Sequence, residues 1–282
     1  GNHQGRAGLP VGLRRVDLAE IKPNIKYIAG LKGKRSIVGL TAYDAIMSKL
    51  VSKAGVDFIL VGDSVGTTLL GYDTTIPVTI DDMVHHTSAV RRGQPGCLVV
   101  ADLPFGEASL SFDRLLDSSR RLMQNGADAV KIEGGKDVAD DIEKLVATGI
   151  PVMGHLGLTP QSIYKFGTYT VRAKEEEEAE KLLEDALMLE RIGCFSIVLE
   201  KVPAKLAQKV ADALNIPVIG IGAGNGVDGQ VLVTHDMIGM THEFHPRFLR
   251  RYLDLYAEMT GAFENYITDV KSGDFPNKKE QY

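Results

Sequence analysis

Short apolar runs alternate along the chain with Gly-rich or polar loops and with longer amphipathic segments. The runs are rich in β-branched residues and too short for helices, which predicts buried strands that alternate with helices. We predict eight such strands, at Ser36–Leu40, Asp57–Val61, Cys97–Ala101, Ala129–Ile132, Pro151–Gly154, Phe195–Leu199, Pro217–Ile221 and Gln230–Val233. Eight strand–helix units are the count of a (β/α)8 barrel, also called a TIM barrel.

The segments between the strands carry apolar residues at helical spacing. The clearest is Glu175–Ile192, whose acidic first turn suits the positive end of a helix. Further helices are predicted at Asp113–Asn125, Asp137–Thr148, Ala204–Leu214 and, as the eighth helix of the barrel, Pro246–Val270. Two loops are longer than the rest, Gly62–Thr79 and His155–Lys174, and long loops in a barrel are usually functional.

The length of 282 residues suits one (β/α)8 domain, which typically needs about 250 residues. We therefore predict a single catalytic barrel over residues 31–282. Residues 1–30 are interpreted as an N-terminal extension, or an added or processed end, with room for one helix. The polar, Gly-rich start from Gly1 to Gly12 lacks the apolar segment of a secretory signal.

Charge and composition exclude several kinds of partner. Lys and Arg number 32 against 37 Asp and Glu, so no basic excess is available to hold a nucleic-acid backbone. No apolar run reaches the roughly 18 residues of a membrane helix. The two cysteines, Cys97 and Cys194, lack metal-type spacing and indicate reduced core thiols. A cytoplasmic protein without nucleic-acid or membrane partners is the expectation.

Three carboxylates follow neighbouring predicted strands at similar heights: Asp63, Asp102 and Glu133. The carboxyl ends of barrel strands face a shared pocket, where three like charges repel strongly unless a cation neutralises them. Oxygen ligands without His or Cys suit a hard ion such as Mg2+. As an alternative, each carboxylate could cap a helix or pair with Lys131.

Three further side chains at strand ends are candidates for catalysis. Lys131 points to the same side of its strand as Glu133, and its charge suits a substrate carboxylate or a developing enolate oxygen; alternatively, it only balances the acidic cluster. Glu200 follows an apolar run, and an apolar approach favours a general acid or base; it could instead pair with Lys201 or cap a helix. His155 is a second acid–base candidate, with a structural role as the alternative.

These strand ends resemble those of the ketopantoate hydroxymethyltransferase family. The matching stretches run in order through nearly the whole chain after about Leu31 and are more specific together than any one alone. They are Leu40–Asp44, Val61–Ser64, Gly71–Thr79, Ala101–Gly106, Val130–Gly135, Pro151–Ser162, Val198–Glu200, Ile219–Gly224 and Asp228–Val233.

The resemblance implies a barrel of the phosphoenolpyruvate/pyruvate type. It implies transfer of a one-carbon unit from 5,10-methylenetetrahydrofolate to 3-methyl-2-oxobutanoate, giving 2-dehydropantoate for pantothenate and coenzyme A synthesis. By the same resemblance, Mg2+ is held by Asp63, Asp102 and Glu133, the oxo acid is contacted by Asp63, Ser64, Asp102 and Lys131, and Glu200 is the proton acceptor. Bacterial members form decamers, so a homo-oligomer is expected. The resemblance assigns no folate-binding residue.

Two positions depart from the family pattern. Lys201 stands where a small residue is expected, and the loop Gly167–Lys174 matches its counterpart poorly, so lid behaviour or folate affinity is expected to differ. Two other functions stay open. A Mg2+-dependent carbon–carbon lyase or aldolase would form the same enolate without folate, and a non-catalytic barrel could bind a metabolite at the same pocket.

Overall fold

Eight parallel strands close into a barrel in the computed structural model, which describes residues 24–282. Each strand pairs with the next in the chain, and β8 pairs with β1. The predicted barrel is confirmed, with the predicted strand bounds shifted by at most three residues. The strands are β1 (Ile37–Thr41), β2 (Phe58–Val61), β3 (Leu98–Asp102), β4 (Ala129–Glu133), β5 (Val152–Gly157), β6 (Ser196–Glu200), β7 (Val218–Ile221) and β8 (Gly229–Leu232).

The helices follow the strands in the order that the apolar spacing predicts. They are α1 (Ile25–Gly30), α2 (Ala45–Ala54), α3 (Val65–Thr68), α4 (Ile80–Arg92), α5 (Glu107–Leu110), α6 (Phe112–Gln124), α7 (Ala139–Ala147), α8 (Ile163–Phe166), α9 (Glu176–Arg191), α10 (Ala204–Ala213), α11 (Thr234–Met237) and α12 (Leu255–Ser272). Short 3-10 turns at Lys136–Val138 and Pro160–Ser162 precede α7 and α8. Residues 1–23 of the predicted N-terminal extension lie outside the described residues.

The predicted start of the eighth helix at Pro246 is wrong, because α12 begins only at Leu255. The Arg251 guanidinium donates to the backbone oxygens of Thr241, His242 and Phe244, which holds the preceding segment in turns. Asp254 then caps the helix by accepting the N–H of Ala257 at 3.2 Å. Side-chain bonds to the backbone thus override the helical spacing of the segment.

Two apolar layers surround the strands. In the outer layer, strand side chains pack against the helices. The inner layer fills the barrel interior near the starts of the strands, around Phe58, Leu98, Met153 and Phe195. Gly39 is required in this inner layer, because a Cβ there would lie 2.2 Å from the ring of Phe58. The inner layer closes the barrel interior beneath the cavity that lies at the carboxyl ends of the strands.

Three aspartates connect neighbouring strands at the opposite end of the barrel, where the strands begin. Each precedes a strand, accepts a backbone N–H from near the start of the preceding strand and pairs with a cation. The three sets are Asp57 with Val38 N–H at 2.9 Å and Arg35 at 2.6 Å, Asp128 with Val99 N–H at 2.9 Å and Arg91 at 3.0 Å, and Asp228 with Val218 N–H at 2.8 Å and Lys32 at 2.7 Å. These contacts join β1 to β2, β3 to β4 and β7 to β8.

One side of the barrel carries apolar surface that the described chain does not cover. The outward side chains of β1 and β8 are incompletely covered, with Val38 46% exposed, Gln230 exposed, and Leu40 and Leu232 half-buried, whereas every residue of β2 and β3 is buried. Helix α12 buries none of its residues, and its exposed side chains include Phe263, Tyr266 and Ile267. Both surfaces lack a partner within residues 24–282.

Two expectations from composition concern the cysteines and the membrane. Cys97 and Cys194 are both buried, and they form no disulfide with each other. Within the described range, none of the helices has the length and apolar character needed to cross a bilayer.

Candidate active site

All seven residues that the sequence predicts for the site line one cavity of about 80 Å³ at the carboxyl ends of the strands. Asp102, Lys131, Glu133, His155 and Glu200 lie within the last residues of β3 to β6, and Asp63 and Ser64 follow β2 directly. The barrel therefore brings together every predicted residue. The apolar part of the wall comes from Leu60, Val198, Ile221 and Val231.

The carboxylates Asp63, Asp102 and Glu133 form an acidic cluster around one ammonium group. The N–H of Asp63 donates to Asp102 Oδ2 at 2.9 Å, and Lys131 Nζ lies 3.2 Å from Asp102 Oδ1, with both side chains of this pair about 5% exposed or less. Burial and the neighbouring Asp102 and Glu133 raise the pKa of Asp63 well above its usual value. Burial lowers the pKa of Lys131, but the three carboxylates more than offset it, so the net shift is upward. Lys131 is therefore charged, and one cation faces three acids.

Two buried oxygens of this cluster accept no hydrogen bond: Asp102 Oδ1, which has only the ion-pair contact with Lys131 at 3.2 Å, and Glu133 Oε1, which lies 3.5 Å from His155 Nδ1. A buried oxygen of this kind is costly unless a charged partner approaches it. Among residues 24–282, no three His, Cys, Asp or Glu side chains already have the arrangement of a finished metal site. What suits a hard cation here is the excess of negative charge and the open oxygens of an all-oxygen donor set.

His155 connects the acidic cluster to Glu200. Lys131 Nζ lies 2.9 Å from His155 Nδ1, and His155 Nε2 lies 2.9 Å from Glu200 Oε2. Because an ammonium can only donate, we assign the neutral tautomer in which Nδ1 accepts from Lys131 and Nε2 donates to Glu200. Burial and Lys131 lower the pKa of His155, but the neighbouring Glu133 and Glu200 raise it to about 9, so the carboxylates favour a second proton on the ring and the contact with Lys131 keeps Nδ1 without one. Nε2 carries its proton in either state and donates it to Glu200.

The alternative in which Glu200 pairs with Lys201 is wrong. Lys201 Nζ instead donates to the backbone oxygen of Tyr169 at 2.8 Å, and the N–H of Arg172 donates to the backbone oxygen of Lys201 at 2.9 Å. The backbone of Lys201 has a φ of 48°, the left-handed region. The two departures from the family pattern, Lys201 and the loop Gly167–Lys174, are thus in direct contact with each other.

A buried tyrosine supports Ser64. Tyr43, 1% exposed, has its hydroxyl 2.7 Å from Ser64 Oγ, and its ring stacks on His235 with centroids 5.4 Å apart. Burial raises the pKa of Tyr43 to about 12, so the hydroxyl keeps its proton. His86 Nδ1 lies 2.8 Å from the backbone oxygen of Tyr43. The sequence gives Tyr43 as part of a motif but does not show that it holds Ser64.

Gln161 also reaches the acidic cluster, although nothing in the pattern of residue types singles it out. It lies in the long loop after β5, where the side chain of Gln161 contacts Asp63 and the backbone contacts Glu133. In the sequence Gln161 belongs to the long loop after β5 and to the matching stretch Pro151–Ser162, and neither assigns it a contact. The same loop forms one wall of a second cleft of about 180 Å³, which shares His155 with the cavity and is lined by Lys165, Arg172 and Lys181.

The chain is similar in sequence to one enzyme family along most of its length. The family model described as ketopantoate hydroxymethyltransferase matches residues 22–278. The 3-methyl-2-oxobutanoate hydroxymethyltransferase of Flavobacterium johnsoniae is 63% identical over 244 residues, which cover 86% of this chain and 90% of that protein. The protein of the same name from Christiangramia forsetii is 60% identical over 260 residues, covering 92% of this chain and 96% of that protein.

Two solved structures with the same fold are more distant in sequence. A 2,3-dimethylmalate lyase, described as a PEP mutase/isocitrate lyase superfamily member, is 15% identical with a TM-score of 0.58, covering 93% of this chain and 92% of that one. A phosphonopyruvate hydrolase in complex with oxalate and Mg2+ is 11% identical with a TM-score of 0.62, covering 92% and 93%. At such identities the likeness concerns the barrel alone.

Proposed function

The chain belongs to the ketopantoate hydroxymethyltransferase family, and from this premise we propose the reaction that its cavity performs. It transfers a hydroxymethyl unit from 5,10-methylenetetrahydrofolate to 3-methyl-2-oxobutanoate through the enolate of the oxo acid, with Mg2+ as its metal. The product is 2-dehydropantoate, for pantothenate and coenzyme A synthesis. The observation that carries this proposal is the single cavity in which three acids, Lys131, His155 and Glu200 meet.

The cavity suits a small, branched 2-oxo acid in size and polarity. Its volume of about 80 Å³ admits a molecule of a few heavy atoms. Val198, Ile221 and Val231 offer an apolar wall for a branched alkyl group, whereas Ser64 and Lys131 offer donors for a carboxylate or an oxo group on the other side. This division fits the two ends of 3-methyl-2-oxobutanoate.

The donor set fits Mg2+. Asp63, Asp102 and Glu133 would hold it, because they supply only oxygens, carry excess negative charge and leave two buried oxygens without a hydrogen bond. When bound, Mg2+ supplies Lewis-acid polarisation of the 2-oxo group, which makes the proton on C3 more acidic.

The chain's own side chains then move the proton and hold the charge. Glu200 accepts the C3 proton at Oε2, next to the Nε2–H of His155, which orients the carboxylate. The Lys131 ammonium faces the oxygen on which negative charge develops, in a buried setting where its charge is strongly felt. Water adds to the methylene carbon and both of its C–N bonds to the folate break, which gives tetrahydrofolate and formaldehyde. The carbon nucleophile formed at C3 adds to the carbonyl carbon of formaldehyde, and the resulting alkoxide takes the proton that Glu200 holds, which gives the hydroxymethyl group.

A product assay tests this reaction. Purified protein is incubated with 3-methyl-2-oxobutanoate and Mg2+, with and without 5,10-methylenetetrahydrofolate, and 2-dehydropantoate is measured. We expect the product only when folate is present. Cleavage or condensation of a 2-oxo acid without folate would indicate the lyase or aldolase, and no turnover with any of these substrates would favour the non-catalytic barrel.

We also propose that the chain works in the cytoplasm as a homo-oligomer, a decamer by family expectation. The exposed Val38 on β1 and the exposed Phe263, Tyr266 and Ile267 of α12 supply apolar surface for a second copy. Light scattering on the purified protein gives the mass; a monomer at micromolar concentration would overturn the proposal. The acidic balance of 37 acids to 32 bases argues against a nucleic-acid partner.

A further inference from the structure

Gln161 ties the loop after β5 to three other strand ends. Its Nε2 donates to Asp63 Oδ2 and to the backbone oxygen of Leu103, each at 2.8 Å, and its backbone N–H donates to Glu133 Oε2 at 3.0 Å. Asp63 follows β2, Leu103 follows β3, and Glu133 ends β4. One residue of the loop therefore contacts the ends of three strands other than the one that precedes it.

The backbone at Gln161 is held in place by its neighbours. The residue lies in the 3-10 turn Pro160–Ser162, where the proline ring at the first position fixes φ. The turn is closed by the N–H of Ser162, which donates to Thr159 at 2.9 Å, and is anchored by the buried Ile163. This turn directs the Gln161 N–H at Glu133 and leaves the side chain to span the distance to Asp63.

Glutamine can hold these carboxylates without changing the charge of the cluster. Gln161 occupies one oxygen each of Asp63 and Glu133, and the Asp63 N–H occupies one oxygen of Asp102. The other oxygens of Asp102 and Glu133 accept no hydrogen bond and have only the ion-pair contacts with Lys131 at 3.2 Å and His155 at 3.5 Å. A lysine at position 161 would cancel part of the negative charge that attracts a cation, and a glutamate would add a fourth acid. A neutral donor orients the ligands and leaves their charge intact.

We propose that Gln161 is a positioning residue for the divalent cation and couples the cation's affinity to closure of the loop. This inference rests on the proposed function, in which Asp63, Asp102 and Glu133 are the ligands. Hydrogen bonds from neighbouring groups that orient metal ligands are typically worth about 10- to 100-fold in metal affinity. Because coupling between two equilibria is reciprocal, bound cation must order the loop as much as the ordered loop favours the cation.

Calorimetric titration of Mg2+ into the full-length protein, without substrate, tests the first half. Gln161→Met keeps the length of the side chain but removes the donor, and Gln161→Asn keeps the amide but withdraws it by one methylene. We expect both variants to bind Mg2+ about 10- to 100-fold more weakly than wild type. The control Ser162→Ala changes the adjacent residue of the same turn and should bind as wild type does.

Hydrogen exchange tests the second half. In wild type, Mg2+ should slow amide exchange in residues 159–166, and this effect should be lost in Gln161→Met. Equal or tighter Mg2+ binding by the folded Gln161 variants would overturn the proposal, because Gln161 would then be neutral or a competitor of the cation. If wild type itself binds neither Mg2+ nor Mn2+, the metal of the proposed function fails, and this inference with it.

Discussion

His155 Nε2 lies 2.9 Å from Glu200 Oε2, which ties the ends of β5 and β6 together inside the cavity. The other ring nitrogen of His155 faces Lys131 at the same distance. The histidine thus links the proposed proton acceptor to the charged group that faces the acids. Glu200 is held by its neighbour rather than by the backbone, so its position depends on the state of that ring.

Glu200→Gln should lower kcat by about 10²- to 10⁴-fold, the usual worth of one general acid–base group, because the amide keeps the shape but cannot accept the proton. Mg2+ affinity should hardly change. Turnover and Mg2+ affinity are measured on the same preparation. Loss of Mg2+ binding with partial rescue by added metal would make Glu200 a ligand, and a wild-type rate would remove it from the mechanism.

Mg2+ should raise the melting temperature and be required for turnover, because it relieves repulsion among three buried acids. At a concentration 100 times its Kd, a ligand that binds only the folded state stabilises it by about 2.7 kcal/mol. EDTA should abolish activity, and Mg2+, Mn2+ or Co2+ should restore it. Asp102→Ala should fold, lose the Mg2+-dependent shift of the melting temperature and bind the oxo acid more weakly. Full activity of the metal-free enzyme would contradict the assignment of the metal site.

Asp57→Ala should reduce the free energy of unfolding by about 1–3 kcal/mol, because it leaves the N–H of Val38 without its acceptor at the start of β1. Asp57→Asn, which retains an acceptor, should lose less. Both are measured by urea denaturation. Since Asp57 lies at the end of the barrel opposite the cavity, kcat and Mg2+ affinity should match wild type, and a fall in either at 25 °C would show that the two ends are coupled.

Glu107→Gln should make stability less dependent on pH at the acid end. Burial raises the pKa of Glu107, but Arg114 and Ser118 more than offset it, so the net shift is downward. A carboxyl with a lowered folded pKa stabilises the fold above its unfolded pKa of about 4.3 and loses this contribution as pH falls through the folded value. Melting temperatures are measured between pH 3 and 7, and the difference between wild type and Glu107→Gln should shrink below about pH 4. Asp117→Asn, at an exposed pair with Arg120, should show a smaller change.

The strands and the composition of the site could be predicted from the sequence because both follow a local rule. Buried parallel strands are short apolar runs, and in a barrel the residue at the end of each run faces the pocket. Asp102 and Glu200 could therefore be located by position alone. The start of α12 could not be predicted in this way. It is set by the contacts of Arg251 with the preceding turns, and these turns have no periodic pattern in the sequence.

The contacts across the cavity could also not be predicted from the sequence. The sequence left open a pairing of Glu200 with its chain neighbour Lys201. The parallel strands instead place His155 of β5 beside Glu200 of β6, and Lys201 contacts Tyr169. The contacts of Gln161 could not be predicted for a related reason, since the partners of a polar loop residue depend on the path of the loop. Register and loop path are set by the whole barrel and cannot be deduced from one segment.

The aspartates Asp57, Asp128 and Asp228 have a practical consequence for engineering. Each already has a cation and a backbone donor, whereas the acids at the opposite end share one ammonium. The residues that we expect to govern thermal stability and those that we expect to govern catalysis therefore lie at opposite ends of the barrel. A mutant library aimed at thermal tolerance can be restricted to codons around the strand beginnings, and one aimed at new substrates to codons around the strand ends, with little interference between the two.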